Sequence, residues 1–159
     1  MNIRGVTAAC SLVFVIGTVL QNVVVIDPAM MRRAMELAGA PVDDAGGFMA
    51  GLRLVGWVFV VGNALGLLAP FGWRWLFWLV LAVNAGQATG VVLAPFGLGP
   101  IPPEVFEATV DVHGWVGLLP SLVVDGGAVV LVVLMLVFRR RWTRDTKNHE
   151  CLTDSGRRP

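Results

Sequence analysis

The chain has 159 residues, of which 56% are hydrophobic and only 14% charged, and its formal net charge is +1. The mean hydropathy of +0.74 lies far above that of soluble domains, because too few polar residues remain to form a water-facing shell. This composition excludes an ordinary soluble enzyme, gives no sign of a nucleic-acid partner, and indicates a membrane protein.

Four apolar segments are long enough to cross about 30 Å of hydrocarbon as helices, which takes roughly 20 residues each. They cover residues 6–26, 48–69, 73–95 and 114–138. The sequence therefore predicts an all-α membrane protein, a four-helix transmembrane bundle within residues 1–142. The polar tail, residues 143–159, is expected to be cytoplasmic and disordered.

The basic residues predict the orientation, because Lys and Arg near helix ends are retained on the cytoplasmic side. With four spans, both termini share a side with Arg4, Arg74 and the basic run that starts at Arg139, whereas the other side has only Arg32 and Arg33. We expect an N-in/C-in protein of a bacterial plasma (inner) membrane. A cleaved signal peptide is the alternative for the first segment, but its small-residue site at 38–40 lies too far beyond the apolar region.

The first outer loop predicts a short amphipathic helix on the membrane surface. Asp27 suits the capping position, Pro28 the first helical position, and Gly39 and Pro41 stop the helix. Its apolar face would contain Met30, Ala34, Leu37 and Ala38. Such a helix either seals the bundle as a lid or gates a pocket, and we favour the lid.

Between the second and third spans, the connection P-F-G-W-R is so short that the two helices must form an antiparallel hairpin. Two pairs of glycines, Gly62/Gly66 and Gly86/Gly90, fit the small-xxx-small pattern that lets helices approach closely in lipid. Each pair could pack within the chain, form a homo-oligomer, or bind another membrane protein.

The second outer loop ends in a predicted helix that contains Glu107, Asp111 and His113. The histidine could exchange protons or bind a metal at the outer boundary. Glu107 and Asp111 are spaced i, i+4, and their repulsion fits a solvated surface as well as a cation site. One histidine without a second clear ligand predicts no metal and no cofactor.

The fourth segment places one carboxylate, Asp125, about 16 Å below the outer boundary, in an otherwise apolar run. Counting depths along each span brings polar groups from all four spans to the same outer half of the membrane: Gln21, Asn22, Arg53, Asn84, Gln87, Ser121 and Asp125. An unpaired charge at that depth costs roughly 2.5 to 3.5 kcal/mol on insertion scales. These residues are therefore the predicted polar cluster.

We expect Arg53 to reach inward and pair with Asp125, while the amides fill the remaining hydrogen bonds. Alternatively, Asp125 is protonated, because burial disfavours the charged form of a carboxyl. Pro120 should bend the helix just outside Asp125 by freeing the Val116 carbonyl, and so open room for a ligand or water.

Three functions fit these observations. The favoured one is a binding or accessory protein whose outward-facing polar pocket takes a small amphipathic molecule or a partner's helix. The second is a proton-coupled exporter that acts as an oligomer, and the third is a membrane enzyme that uses His113, Glu107 or Asp111. No nucleophile elbow or paired histidine motif supports the enzyme, and the cluster could also serve only to hold the helices together.

Overall fold

The computed structural model describes residues 2–93 and 102–142, and every regular element in these residues is helical. The helices are α1, Ile3–Leu20, continued by a π-helical turn over Gln21–Val25; α2, Pro28–Leu37; α3, Ala45–Gly66; α4, Arg74–Leu93; α5, Pro103–His113; α6, Leu119–Ser121; and α7, Gly127–Val137. A second π-helical turn, Leu122–Gly126, joins α6 to α7. The tail that the sequence predicts to be disordered lies outside the described residues.

Three helical stretches are long and apolar enough to cross a membrane: Ile3–Val25, Val42–Gly66 and Trp115–Val137. They correspond to the predicted segments at 6–26, 48–69 and 114–138. Apolar side chains cover their outward faces, as at Leu54 and Val58, which are 67% and 63% exposed. A continuous apolar exterior of this kind is typical of a membrane-embedded protein.

The helical stretches run up and down, so the bundle has two distinct ends. Asn2, Gly72 and Trp142 lie at one end, which we call the terminal end, because Arg4 contacts both Gly72 and Trp142 there. The helices α2 and α5 lie at the other end, which we call the loop end, and pack against each other.

Glycines set the distance between the helices. A Cβ atom on Gly66 of α3 would overlap Ser11 of α1, and one on Gly62 would overlap Val83 of α4. On α1, Gly17 lies against Val124 in the same way. Close packing of this kind replaces the hydrophobic driving force that helices lack in lipid. The Gly62/Gly66 surface is thus occupied by α1 and α4 of the same chain.

The predicted amphipathic helix is present as α2. Asp27 accepts a hydrogen bond from the Met30 amide at 2.7 Å, and Pro28 occupies the first turn. The buried face is wider than the sequence suggests, because α3 and α5 both pack on α2: Met31 is fully buried together with Met30 and Ala34. Ala38, assigned to that face from the sequence, is exposed because the helix ends at Leu37.

Candidate functional site

A cavity of about 350 Å³ lies between α1, α3, α4 and the second π-helical turn. This volume is at the lower end of the roughly 300 to 1,000 Å³ that small-molecule pockets occupy. Polar side chains line part of it: Thr18, Gln21, Asn22, Gln87, Thr89 and Asp125. The rest of the wall is apolar, with Leu52, Val55 and Phe59 of α3 opposite the glycines of α4.

The cavity opens sideways between α3 and α4. Val55 of α3 is 53% exposed and Thr89 of α4 is also exposed, yet both residues line the cavity.

Both π-helical turns border this cavity. Gln21–Val25 supplies Gln21 and Asn22, and Leu122–Gly126 supplies Asp125. Turns of this kind are uncommon, often mark functional sites, and re-aim the side chains that they carry. Residues 115–126 pass from a 3-10 turn through one α-helical turn into the π-helical turn, so the segment around Pro120 is irregular. The Val116 carbonyl, which we expected Pro120 to free, instead accepts from the Leu119 amide in the 3-10 turn.

A chain of hydrogen bonds joins three helices at the inner wall of the cavity. Asn63 Nδ2 of α3 donates to Gln87 Oε1 of α4 at 3.0 Å, and Gln87 Nε2 lies 3.5 Å from Thr18 Oγ1 of α1. Asn63 and Thr18 are not in the predicted cluster. The sequence signal for Asn63 is an amide inside an apolar helix, and for Thr18 a hydroxyl one helical turn before Asn22.

Arg53 does not pair with Asp125, so the expected ion pair is wrong for this conformation. Its Nη2 donates to the Ile26 carbonyl at 2.7 Å, and its own carbonyl accepts from Asn22 Nδ2 at 2.9 Å. The physical reason is that α1 ends in the π-helical turn, which leaves the Ile26 carbonyl available near the loop end. The guanidinium reaches that acceptor without crossing the apolar cavity.

Asp125 lines the cavity and is only 8% exposed. Within residues 2–93 and 102–142, no protein donor or cation pairs with its carboxylate. Asn84 and Ser121, two other members of the predicted cluster, have different environments. Asn84 donates to Val80 of its own helix at 2.8 Å, and Ser121 lines a separate space of about 30 Å³.

The structure therefore brings four of the seven predicted cluster residues to one cavity: Gln21, Asn22, Gln87 and Asp125. Arg53, Asn84 and Ser121 lie around it. Asn22 Oδ1 and Asn84 Oδ1 are buried oxygens without a hydrogen-bond partner in the described part of the chain.

The three candidates in the second outer loop do not converge on one site. His113 Nε2 lies 3.1 Å from the Val25 carbonyl and 3.5 Å from Asp27 Oδ2. Asp111 accepts from Arg33 Nε at 2.8 Å, and Glu107 is exposed. Among the described residues, no group of three or more His, Cys, Asp or Glu side chains is placed to hold a metal ion.

These outer contacts dock α5 on α2 and on the end of α1. Hydrogen bonds to Asp111, and then to Glu36, raise the pKa of Arg33 above its usual value, so the guanidinium stays charged. The contact with Asp111 is exposed and contributes little to stability. The two helices therefore pack together at the loop end of the bundle.

At the terminal end, a second cavity of about 280 Å³ is lined by Arg74, Arg139 and Arg140 together with Phe77, Trp78 and Trp142. The described carboxylates other than Asp125 all lie in the loops or helices of the loop end. The two ends of the bundle thus differ in charge.

Comparison with models of protein families, with curated proteins and with solved structures gave no match. The proposed function therefore rests on the geometry of the chain.

Proposed function

We propose that this chain is a small integral membrane protein that binds a small amphipathic molecule in the cavity beside Asp125. One observation carries the proposal: a buried carboxylate that has no partner within residues 2–93 and 102–142 faces a cavity large enough for a ligand. An intramembrane ionisable residue is costly, and such residues commonly mark binding or transport sites.

The membrane topology belongs to this proposal. At 20 residues, α4 is about 30 Å long and would form the fourth span, antiparallel to α3. Trp73, Trp75 and Trp78 at its start are exposed, as expected for residues at a membrane interface. The arginines at the terminal end favour a cytoplasmic position for both termini.

Thiol labelling tests this orientation. Cys151 lies in the tail, and Gly47→Cys would place a thiol at the exposed start of α3, where no atom lies within 4 Å of an added Cβ. In intact cells, we expect an impermeant maleimide to label Gly47→Cys, made in a Cys10→Ser/Cys151→Ser background, but not Cys151. Labelling of Cys151 from outside contradicts the orientation.

The wall of the cavity supports an amphipathic ligand over a purely polar one. Its polar groups lie on α1, on α4 and at Asp125, whereas α3 contributes Leu52, Val55 and Phe59. The opening between α3 and α4 lets an apolar chain extend toward lipid while the head stays beside the polar groups. We place the entry at this opening, because Val55 and Thr89 line the cavity there and are exposed.

Blocking the cavity tests the proposal. A Cβ on Gly86 would lie 3.4 Å from the Phe59 ring, so Gly86→Leu fits on the helix but fills the cavity with its remaining atoms. Gly51→Leu is the matched control, because Gly51 is exposed and no atom lies within 4 Å of an added Cβ. The readout is native mass spectrometry of each protein purified in mild detergent.

We expect the wild type and Gly51→Leu to carry the same discrete small molecule, and Gly86→Leu to carry about tenfold less, which corresponds to about 1.4 kcal/mol. All three proteins should unfold at similar temperatures. Equal occupancy in the three, or no bound molecule in the wild type above the detergent background, contradicts the proposal.

A proton-coupled exporter is the second candidate. Arg53 points to Ile26 and does not hold Asp125 in an ion pair, so the carboxyl is free to exchange a proton for a substrate. Transport driven by a pH gradient in proteoliposomes favours the exporter, and binding without transport favours the binding protein.

A further inference from the structure

The other charged side chains of the described membrane helices do not offset the charge of Asp125. The charged residues of α1, α3, α4 and the stretch Trp115–Val137 are Arg4, Arg53, Arg74 and Asp125. Arg4 and Arg74 lie at the terminal end, and Arg53 donates to the Ile26 carbonyl toward the loop end. Of the described residues that line the cavity, Asp125 is the one that ionises. An ionised occupant beside it must therefore be a cation.

The hydrogen bonds of the residues that line the cavity also favour a ligand head that donates hydrogen bonds. Thr89 Oγ1 gives its one proton to the Gly86 carbonyl at 2.6 Å. Asn22 Nδ2 already donates to Arg53, and Gln87 Nε2 is directed at Thr18. The carboxylate of Asp125, in contrast, only accepts. Asn22 Oδ1 is a second acceptor of the lining, buried and without a hydrogen-bond partner in the described part of the chain, so a well-matched ligand head donates hydrogen bonds.

The apolar wall of the cavity indicates the chemistry of the rest of the ligand. Leu52, Val55 and Phe59 lie along α3, and Val55 reaches the sideways opening. A short alkyl chain attached to the head would pass along this face into the lipid. The face of an aromatic ring such as Phe59 also tolerates a nearby cation.

We infer that the cavity selects amphipathic amines, with the protonated amine beside Asp125 and the alkyl chain leaving between α3 and α4. This inference rests on the proposed function and adds the charge of the ligand head. The ammonium donates up to three hydrogen bonds to acceptors that the protein leaves free, and its charge offsets that of the carboxylate.

Two probes of equal chain length test the selectivity: dodecylamine and dodecanol. Full-length protein is reconstituted in phosphatidylcholine nanodiscs, and binding of radiolabelled dodecylamine is measured above that of empty nanodiscs, with each unlabelled probe as competitor. We expect dodecanol to compete at least about tenfold more weakly than dodecylamine, since a hydrogen bond to a charged group contributes roughly 1.5 to 3 kcal/mol.

Variants at Asp125 distinguish the effect of its charge on binding from the effect of its size. Asp125→Asn should weaken dodecylamine binding at least about tenfold and dodecanol binding by much less, so that the preference for the amine is lost, whereas Asp125→Glu should retain that preference. Circular dichroism and the unfolding temperature establish that both variants are folded. Equal competition by the two probes in the wild type, or an unchanged preference in Asp125→Asn, overturns the inference.

The experiment distinguishes a failure of amine selectivity from a failure of the proposed function. If both probes bind the wild type equally and Gly86→Leu abolishes both, the cavity binds amphipathic molecules but does not select amines. If neither probe binds above empty nanodiscs, the inference and the proposed function fall together. Nanodiscs that contain phosphatidylethanolamine identify the source of the ammonium: inhibition of dodecylamine binding indicates a lipid headgroup, and undiminished binding indicates a free amphipathic amine.

Discussion

Asp125 and Arg53 are the two charged residues farthest from the ends of the membrane helices, and their side chains have different environments. Arg53 has a long side chain and reaches the Ile26 carbonyl, which is open because α1 ends there in a π-helical turn. Asp125 has a short side chain on a different helix and finds no partner among the described residues. One charged group therefore donates a hydrogen bond to nearby backbone, and the other faces a cavity.

At the residue scale, the sequence predicts which polar groups lie in the membrane but not which of them pair. Depth counting places Gln21, Asn22, Gln87 and Asp125 in the same outer half of the membrane, and all four line the cavity. The rotation of each helix about its axis decides the pairing, and depth counting does not give that rotation. Asn63 of α3, which lies outside the predicted cluster, bonds to Gln87, whereas Asn84 donates to Val80 of its own helix.

At the element scale, glycines determine which helices touch. The small-xxx-small pattern predicts close packing but leaves open whether the neighbour is the same chain. Gly62 and Gly66 face Val83 and Ser11 of their own chain. The capped helix α2 was more predictable, because its start depends on local chemistry at Asp27 and Pro28.

The packing of Gly66 leads to a stability prediction. Gly66→Ala should lower the free energy of unfolding by about 1 to 3 kcal/mol, because the added methyl would overlap Ser11 Oγ and push α1 away from α3. Gly51→Ala is the matched control on the same helix, where an added Cβ meets nothing within 4 Å. That variant should gain about 0.5 to 1 kcal/mol from the helix preference of alanine.

Unfolding of both variants by SDS in mixed micelles provides the measurement. An unchanged unfolding free energy for Gly66→Ala, accompanied by loss of self-association, would show that the glycine pair serves an oligomer and not the fold of one chain.

At the scale of the whole molecule, the protein is a helical bundle with a basic terminal end, a loop end where α2 and α5 pack together, and a cavity among α1, α3, α4 and the second π-helical turn. Such a bundle could be stabilised by its buried polar groups, or it could hold some of them at a cost for binding. The chain Asn63–Gln87–Thr18 fits the first case, since each bond ties two helices together. Asp125 fits the second, since a buried carboxylate without a partner destabilises the fold.

The free energy of unfolding of wild type, Asp125→Asn and Asn63→Ala, measured in detergent at neutral pH, tests this distinction most directly. We expect Asn63→Ala to lose about 1 to 3 kcal/mol, because Gln87 Oε1 then lacks its donor. Asp125→Asn should be as stable as the wild type or more stable, and should lose the bound amphipathic molecule. A loss of stability in Asp125→Asn similar to that of Asn63→Ala, with the bound molecule retained, would contradict the proposal, because Asp125 would then be a structural group and not a ligand-binding one.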